Sequence, residues 1–344
     1  MKNHFQVSGS VLSLGEILLR MIPDADGNWL KNQSLPFSLG GAELNVARNL
    51  AHWKIPSKYI TAIPDNGLSK QILKYLEEKD IDISSVHLGG ERMGIFYLTQ
   101  GRDMKNDDLV YDRSRSSFSQ LRTGMIDWEK AFEGVSWFHV SAISPGISQH
   151  AADICEEAMI EASKLNISIS IDLNYRAKLW HYGKSPEQVI PKLLPYCQVI
   201  MGNIWALDKM AGLKSPPKIP QETEKRTYEE ISLMFSGLVS EIYPNCKSVA
   251  NTFRFEEGNK IRYYASLYEN EDIIFSKEYA SDSYEDKVGS GDCFMAGLIY
   301  GYYQEWDSKE VLDFATAAAY DKLFIKGDST TSLPEDIKKR MEWN

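Results

Sequence analysis

The sequence predicts an α/β protein in which helices cover both faces of a mostly parallel sheet. Along most of the 344 residues, short apolar runs that suit buried strands alternate with longer segments of helical periodicity. This alternation is typical of parallel sheets. The segment at about 91–121 departs from it, because two strand-like runs follow each other there. We interpret that segment as a hairpin-like sheet fragment inserted into the pattern, where it could cover a site.

In the first half of the chain, the apolar run Val11–Gly15 ends at a glycine and predicts a buried strand. Segment 40–53 predicts a helix, because its apolar residues recur at helical spacing. The other elements predicted here are a helix at 69–79, strands at 94–99, 109–113 and 135–140, and a helix at 148–165.

In the second half, segment 212–226 is polar and contains three prolines, which predicts a surface loop. The regular elements predicted around it are a strand at 167–172, a helix at 186–194, a strand at 199–201, a helix at 229–240, a strand at 248–253, a second hairpin from 262–268 and 273–279, a helix from Asp292 and a helix at 309–324.

Composition narrows the class of protein. The net charge of −10 disfavours nucleic acid or an anionic membrane as the main partner. The N-terminus has no signal-peptide core, and no run of about 18 apolar residues predicts a membrane helix. The four cysteines form no Cys-x-x-Cys pair, which fits a reducing compartment and gives no zinc signature. We expect a cytoplasmic protein that forms a homo-oligomer.

The most informative motif is Gly289-Ser290-Gly291-Asp292, a glycine turn that leads into an apolar helix. Backbone N–H groups at a helix N-terminus attract anions. A carboxylate beside such a cradle could take a proton from a hydroxyl that attacks a phosphate, and this chemistry needs no raised pKa at Asp292. The ordinary alternative is a helix cap at a glycine turn. The chain has no Gly-x-x-x-x-Gly-Lys-Ser/Thr loop.

A second glycine pair, Gly40-Gly41, lies ahead of Asn45. Paired glycines allow a ligand to approach the backbone closely, and Asn45 offers both a donor and an acceptor one turn into the predicted helix. The alternative is that the glycines only mark the start of the helix.

Polar residues also follow a predicted strand in Asp172-Leu-Asn174-Tyr-Arg176. Ligands of open parallel sheets bind outside the carboxyl ends of the strands, so these side chains are candidates for a site. A polar loop with an Arg–Asp pair would look the same. His139 lies within an apolar run, and we interpret it as a core residue.

The inserted strands carry Tyr97, Tyr111 and Arg113. Tyr111 and Arg113 are two residues apart, so they share one face of a strand. A guanidinium beside an aromatic hydroxyl suits an acidic sugar, because arginine binds carboxylates bidentately. The alternative is a solvated sheet edge.

In combination, these motifs resemble a known family. Gly40-Gly-Ala-Glu-Leu-Asn-Val-Ala-Arg-Asn-Leu-Ala51 resembles the N-terminal signature of the ribokinase-like (PfkB) carbohydrate kinases, and Asp286-Lys-Val-Gly-Ser-Gly-Asp-Cys-Phe-Met-Ala-Gly297 is similar to their C-terminal signature. The resemblance spans roughly residues 12–327. Within the family, 172–180, 111–117 and Tyr97 resemble 2-keto-3-deoxygluconate kinases.

The resemblance implies a single ribokinase-like domain over 1–344, with lid strands from about 17–37 and 91–121, and it implies ATP and Mg2+. It makes Asp292 the catalytic base and Gly289, Ser290 and Gly291 the anion hole. The residues that it assigns to the sugar are Gly40, Gly41, Asn45, Tyr97, Tyr111, Arg113, Asp172, Asn174 and Arg176. Those that it assigns to the nucleotide are Asn203, Thr252, Gly289, Gly291 and Ala318. It assigns no metal ligand.

The chain departs from the family pattern at three places. Asn-x-x-Glu is replaced by Asn203-Ile-Trp-Ala206, Thr-x-Gly by Thr252-Phe-Arg254, and Asp-Thr by Asp286-Lys287. The base and the anion hole keep the family pattern. Our hypothesis is an ATP-dependent kinase that phosphorylates 2-keto-3-deoxy-D-gluconate. The alternatives are a kinase for fructose or ribose, and a sugar- or nucleotide-binding protein without turnover.

Overall fold

The computed structural model describes residues 5, 7–23, 29–30, 33–98, 109–213, 218–220 and 224–342. The strands in these ranges are β1 (Ser10–Leu14), β2 (Leu18–Met21), β3 (Phe37–Gly40), β4 (Ser57–Ile60), β5 (Ala62–Ile63), β6 (Ile81–Asp82), β7 (His87–Leu88), β8 (Gly94–Tyr97), β9 (Val110–Asp112), β10 (Val135–Ser141), β11 (Ser168–Asp172), β12 (Val199–Gly202), β13 (Ser248–Glu257), β14 (Lys260–Glu269), β15 (Asp272–Phe275) and β16 (Tyr279–Ser281).

The α-helices are α1 (Ala42–His52), α2 (Gly67–Glu77), α3 (Trp128–Ala131), α4 (Gln149–Lys164), α5 (Pro186–Leu193), α6 (Ile204–Met210), α7 (Lys225–Ile242), α8 (Ser290–Tyr303), α9 (Ser308–Lys322) and α10 (Pro334–Met341). Several begin at side chains that cap free backbone N–H groups. Asn66 accepts the Ser69 N–H ahead of α2, and Ser148 accepts the Ala151 N–H ahead of α4.

The main sheet has the strand order β15-β14-β13-β12-β11-β10-β1-β4-β6, and β16 also pairs with β14. Neighbouring strands from β6 to β13 run parallel, while β14 pairs antiparallel with β13, β15 and β16. The strand order places β1 beside β10 in the middle of the sheet. These findings confirm the predicted α/β class with a mostly parallel sheet.

Two apolar cores lie on opposite faces of this sheet. Along β1, Leu12 belongs to the core formed with α4–α7, whereas Val11 belongs to the core formed with α1, α8 and α9. Side chains alternate between the two faces of a strand, so both neighbours are buried. Strands that are buried on both faces read as continuous apolar runs, and this is why they could be recognised in the sequence.

A small sheet of order β3-β2-β8-β9 forms beside the main sheet. Strands β2 and β8 are parallel, and β8 pairs antiparallel with β9, as predicted for the inserted hairpin. Strand β3 begins at Phe37 and ends at Gly40, beyond the predicted segment 17–37. Part of the connection from β8 to β9, residues 99–108, lies outside the described residues.

A buried ion pair links the small sheet to the main fold. Arg20 on β2 is fully buried, and its Nη1 donates to Asp286 Oδ2 at 2.9 Å and to Asp328 Oδ1 at 2.6 Å. Behind this pair, the buried Lys322 Nζ donates to the carbonyl oxygen of Ile325 at 2.9 Å and to that of Asp286 at 3.4 Å. Strand β2 is therefore fixed to the segment that precedes α8.

Several elements differ from their predicted bounds. Strand β13 continues to Glu257 because it pairs with β14 over its whole length, and α7 begins at Lys225, inside the predicted loop 212–226. The strand predicted at 273–279 ends at Phe275, and β16 is separate. Strands β4–β7 and helices α3, α6 and α10 were not predicted. None of the helices in the described ranges is long and apolar enough to span a membrane.

We expect the substitution Arg20→Met to lower the free energy of unfolding by roughly 3–5 kcal/mol, because it leaves Asp286 and Asp328 as buried carboxylates without their cation. Urea denaturation would measure the change. The matched control is Arg92→Met, which removes the partly exposed Arg92–Asp112 pair of the small sheet and should cost at most about 1 kcal/mol. Equal and small effects of the two substitutions would contradict a structural role for Arg20.

Candidate active site

A cavity of about 590 Å³ opens at the carboxyl ends of β11 and β12, with the small sheet as one wall. This volume is typical of small-molecule sites. The structure brings most of the predicted site residues to its lining: Gly41, Asn45, Tyr111, Arg113, Asp172, Asn174, Arg176, Asn203, Thr252, Gly289, Ser290, Gly291 and Asp292.

Three predicted site residues do not line this cavity. Gly40 is the last residue of β3 and lies behind its wall. Tyr97 packs edge-on against Trp29, with 5.7 Å between the ring centroids. Ala318 is fully buried in α9, where its carbonyl oxygen accepts the Cys293 thiol at 3.4 Å. The structure thus places these three residues next to the cavity lining rather than in it, and their contact with a ligand stays a prediction.

The glycine turn has the geometry of an anion cradle. Gly289 precedes α8 with φ at 79°, and an added Cβ would overlap the carbonyl oxygen of Asp328, so only glycine fits. The Cys293 N–H donates to the Gly289 oxygen at 2.8 Å, which leaves the Gly291 and Asp292 N–H groups ahead of it in the first turn. The Ser290 hydroxyl donates to the Ala319 carbonyl oxygen of α9 at 3.1 Å, and its N–H donates to the Lys287 oxygen at 3.5 Å.

Asp292 lies in the first turn of α8 and is buried at the cavity wall. Its Oδ2 accepts the Asn45 amide at 2.7 Å. Burial raises the pKa of Asp292 well above its usual range. The Asn45 hydrogen bond opposes this rise, while the charges of Asp172 and Glu43 add to it. The proposed chemistry does not need this raised pKa, and the sequence did not show how deeply the Asp292 carboxylate is buried.

Asp172 is the last residue of β11 and is also buried against the cavity. Burial raises its pKa to about 7, the Arg176 guanidinium opposes the rise, and Glu43 contributes to it. Asn174 and Arg176 follow on the same wall. The segment thus places a carboxyl group, an amide and a guanidinium at the carboxyl edge of the sheet, as the sequence predicted.

Glu43 is a buried carboxylate that the sequence did not identify as functional. Its Oε1 accepts the hydroxyls of Ser141 and Ser144, each at 2.7 Å, and the Ser141 N–H at 3.0 Å. Gly15 makes room for it, because a Cβ there would overlap the carboxylate. The signal available in the sequence was its place two residues after Gly41. Glu43 fixes the start of α1, and with it Asn45, against β10.

Arg113 lines the cavity, but it already has a partner. Its Nε donates to Glu16 Oε2 at 2.6 Å, and both side chains are almost completely buried. The guanidinium also lies 5.8 Å from the centroid of the Tyr111 ring. The sequence predicted Arg113 as a cation for the substrate and gave no sign of Glu16. A bound carboxylate must therefore share this guanidinium with Glu16.

Comparisons with known proteins show the family of this chain. The family model described as pfkB family carbohydrate kinase matches residues 8–233, about two thirds of the chain. The chain belongs to this family. It is a sugar kinase with the ribokinase-like fold.

The kinase is similar over its whole length to several known proteins. The crystal structure of 2-dehydro-3-deoxygluconokinase from Thermotoga maritima is 30% identical, covers 98% of this chain and 100% of that one, and superposes with a TM-score of 0.86. The 2-dehydro-3-deoxygalactonokinase of Haloferax volcanii is 22% identical, with 97% and 96% covered. The fructokinase of Xylella fastidiosa with bound ATP is 15% identical, with 97% and 98% covered and a TM-score of 0.74.

On the predicted nucleotide side of the kinase, the described residues form no metal cluster. Asn203 caps α6 by accepting the Ala206 N–H at 2.8 Å, and Ala206 has no carboxylate to offer. Thr252 lies on β13 at the cavity. The described part of the chain contains no group of three or more His, Cys, Asp or Glu side chains that could hold a metal ion. These residues do not fit a metal site built by the protein alone.

Alanine substitutions at the two glycines of the turn should separate folding from ligand binding. We expect Gly289→Ala to lower the unfolding temperature strongly, because the alanine would be strained at a positive φ and its methyl group would overlap the Asp328 carbonyl. We expect Gly291→Ala to keep the unfolding temperature but to lower kcat/KM, because its methyl group would lie in the cavity near Met201 Cε (3.9 Å). Full activity of a stable Gly291→Ala variant would contradict a cradle at this turn.

Proposed function

We propose that this kinase transfers the γ-phosphoryl group of ATP to the terminal hydroxyl of 2-keto-3-deoxy-D-gluconate and forms the 6-phosphate. The observation that carries the proposal is that Arg113 and Arg176 line the same cavity as Asp292. Guanidinium groups favour a sugar with a carboxylate. The name of the Thermotoga maritima relative, 2-dehydro-3-deoxygluconokinase, supports the same substrate.

In the proposed reaction, the hydroxyl oxygen attacks the γ-phosphorus and its proton moves to the Asp292 carboxylate. The new O–P bond forms as the bond to the β,γ-bridging oxygen breaks, and ADP leaves. The N–H groups of Gly291 and Asp292 would stabilise the charge on the transferred phosphoryl oxygens. Asn45 holds Asp292 in position through the 2.7 Å hydrogen bond.

ATP as the donor is supported by family membership and by the ATP complex of the Xylella fastidiosa fructokinase. Mg2+ would enter as part of the nucleotide substrate, bound mainly to phosphate oxygens and water, because the described residues offer no cluster of ligands for it. The chain's own contribution is then to bind the phosphates and to exclude water beneath the small sheet.

A neutral sugar such as fructose is the second candidate. The observation that favours it is the Glu16 carboxylate, which already neutralises Arg113 at 2.6 Å. A neutral sugar would leave this pair intact, whereas a sugar acid must compete with Glu16. Arg176 also lines the cavity, and this second guanidinium is our reason for preferring the acid.

We expect Asp292→Asn to lower kcat by about 10²–10⁴-fold, because an amide cannot accept the proton. Thermal unfolding should remain cooperative, since the amide is close to isosteric.

The pH profile of the unmodified enzyme should also report on Asp292. The base must be ionised to accept a proton, so kcat/KM should rise with pH. Because burial raises the pKa of Asp292, this rise should occur at a higher pH than for an ordinary aspartate.

The control for this assignment is Asn45→Ala. Loss of the amide donor should raise the pKa of Asp292 further and move the acidic limb to higher pH, because the hydrogen bond opposes the rise. A pH profile with an unchanged limb, or near-normal turnover of Asp292→Asn, would remove Asp292 as the base.

A substrate panel with coupled ADP detection should show the highest kcat/KM for 2-keto-3-deoxy-D-gluconate. Lower values are expected for its galactonate epimer, fructose and ribose. The double variant Arg113→Met/Glu16→Gln, which leaves no unpaired buried carboxylate, should raise KM for the acid by about tenfold or more and change KM for the neutral sugars little, because only the acid gains a charged hydrogen bond. Preference of the unmodified kinase for a neutral sugar would overturn the assignment.

A further inference from the structure

Three charged side chains form a linked group on the cavity wall beside the glycine turn. Arg254 and Glu256 lie on β13, and Lys287 lies two residues before Gly289. Glu256 joins the two cations: its Oε1 lies 3.0 Å from Arg254 Nε, and its Oε2 accepts Lys287 Nζ at 2.7 Å. We call Arg254, Glu256 and Lys287 the cationic wall.

The cationic wall is a group of charged side chains in a partly enclosed place. Its side chains carry two positive charges and one negative charge. The Lys287 side chain is only 7% exposed, and those of Arg254 and Glu256 are 22% and 28% exposed. Lys287 Nζ also lies 5.1 Å from the centroid of the Tyr284 ring. Burying an ammonium group costs free energy, so the position of Lys287 at the cavity indicates a binding role and not only a contribution to solubility.

The position of the wall points to a polyanion. Lys287 precedes the turn whose residues Gly289 and Gly291 also line the cavity, so the side-chain cation lies close to the N-terminus of α8, where anions are favoured. Across the cavity, position 206 is an alanine and offers no carboxylate for a metal. The negative charge of a bound polyanion, which a protein-held metal would neutralise, can instead be neutralised by the side chains of Lys287 and Arg254.

We propose that Lys287 and Arg254, held in place by Glu256, bind the β- and γ-phosphate oxygens of the donor nucleotide and so determine the affinity for the triphosphate. This inference rests on the proposed use of a nucleotide donor, but not on which sugar accepts the phosphoryl group. It assigns a function to two positions, 254 and 287, where the chain departs from the pattern of its family.

The test is calorimetric binding of ATP and AMP, without sugar, to the unmodified kinase and to Lys287→Met and Arg254→Met. Each substitution should weaken ATP binding by about tenfold or more and leave AMP binding within about twofold, because AMP has neither the β- nor the γ-phosphate. The matched control is Arg262→Met. It breaks the ion pair between Arg262 on β14 and Glu278, neither of which lines the active-site cavity, and it should change neither affinity.

Lys287→Met leaves Glu256 without its ammonium partner and could disturb folding. The double variant Lys287→Met/Glu256→Gln removes that unpaired charge, and it should show the same loss of ATP affinity with an unfolding temperature near that of the unmodified kinase. Unmodified ATP affinity in a folded variant, or equal losses for ATP and AMP, would overturn the inference. Failure to phosphorylate 2-keto-3-deoxy-D-gluconate would instead overturn the proposed substrate and would leave this binding result unaffected.

Discussion

The buried guanidinium of Arg20 connects three segments that are far apart in the sequence. It lies on β2 and binds Asp286, just before the glycine turn, and Asp328, after α9. The Asp328 backbone in turn approaches Gly289 so closely that no side chain fits there. The position of the glycine turn relative to the small sheet therefore depends on this ion pair. The desolvation cost of a buried ion pair offsets much of the attraction between its charges, so the pair adds little net stability. Its main effect is to fix the positions of the segments that it joins.

A second constraint is the crowding of carboxylates around the cavity. Asp292, Asp172 and Glu43 are buried near one another, and burial raises the pKa of each. Hydrogen bonds from Asn45 and the serines of β10 and its following loop partly offset this cost. The same arrangement suits a base, because a carboxylate with a raised pKa accepts a proton more readily than an exposed one.

Much of the fold could be predicted because its strands are buried on both faces and its helices have clear periodicity. Short strands such as β6 and β7, two residues each, carry no pattern of their own and form only because neighbouring strands supply their partners. Helix α10 is charged on most of its surface and buries only Ile337, and it is held further by the ion pair of Arg340 with Asp321 on α9. The start of α7 lies in polar sequence, where composition favoured a loop.

Local sequence was enough to identify the glycine turn, the candidate base and the order of motifs, because these depend on local chemistry and on spacing along the chain. Which charges meet depends instead on the folded chain. Folding paired Arg113 with Glu16, buried Asp292 beside Asn45, removed Ala318 and Tyr97 from the cavity lining, and joined Lys287 to Arg254 through Glu256. Apart from Arg254 and Glu256, which share a strand, the paired residues are 31 to 247 positions apart in the sequence. No local sequence pattern indicates contacts over such separations.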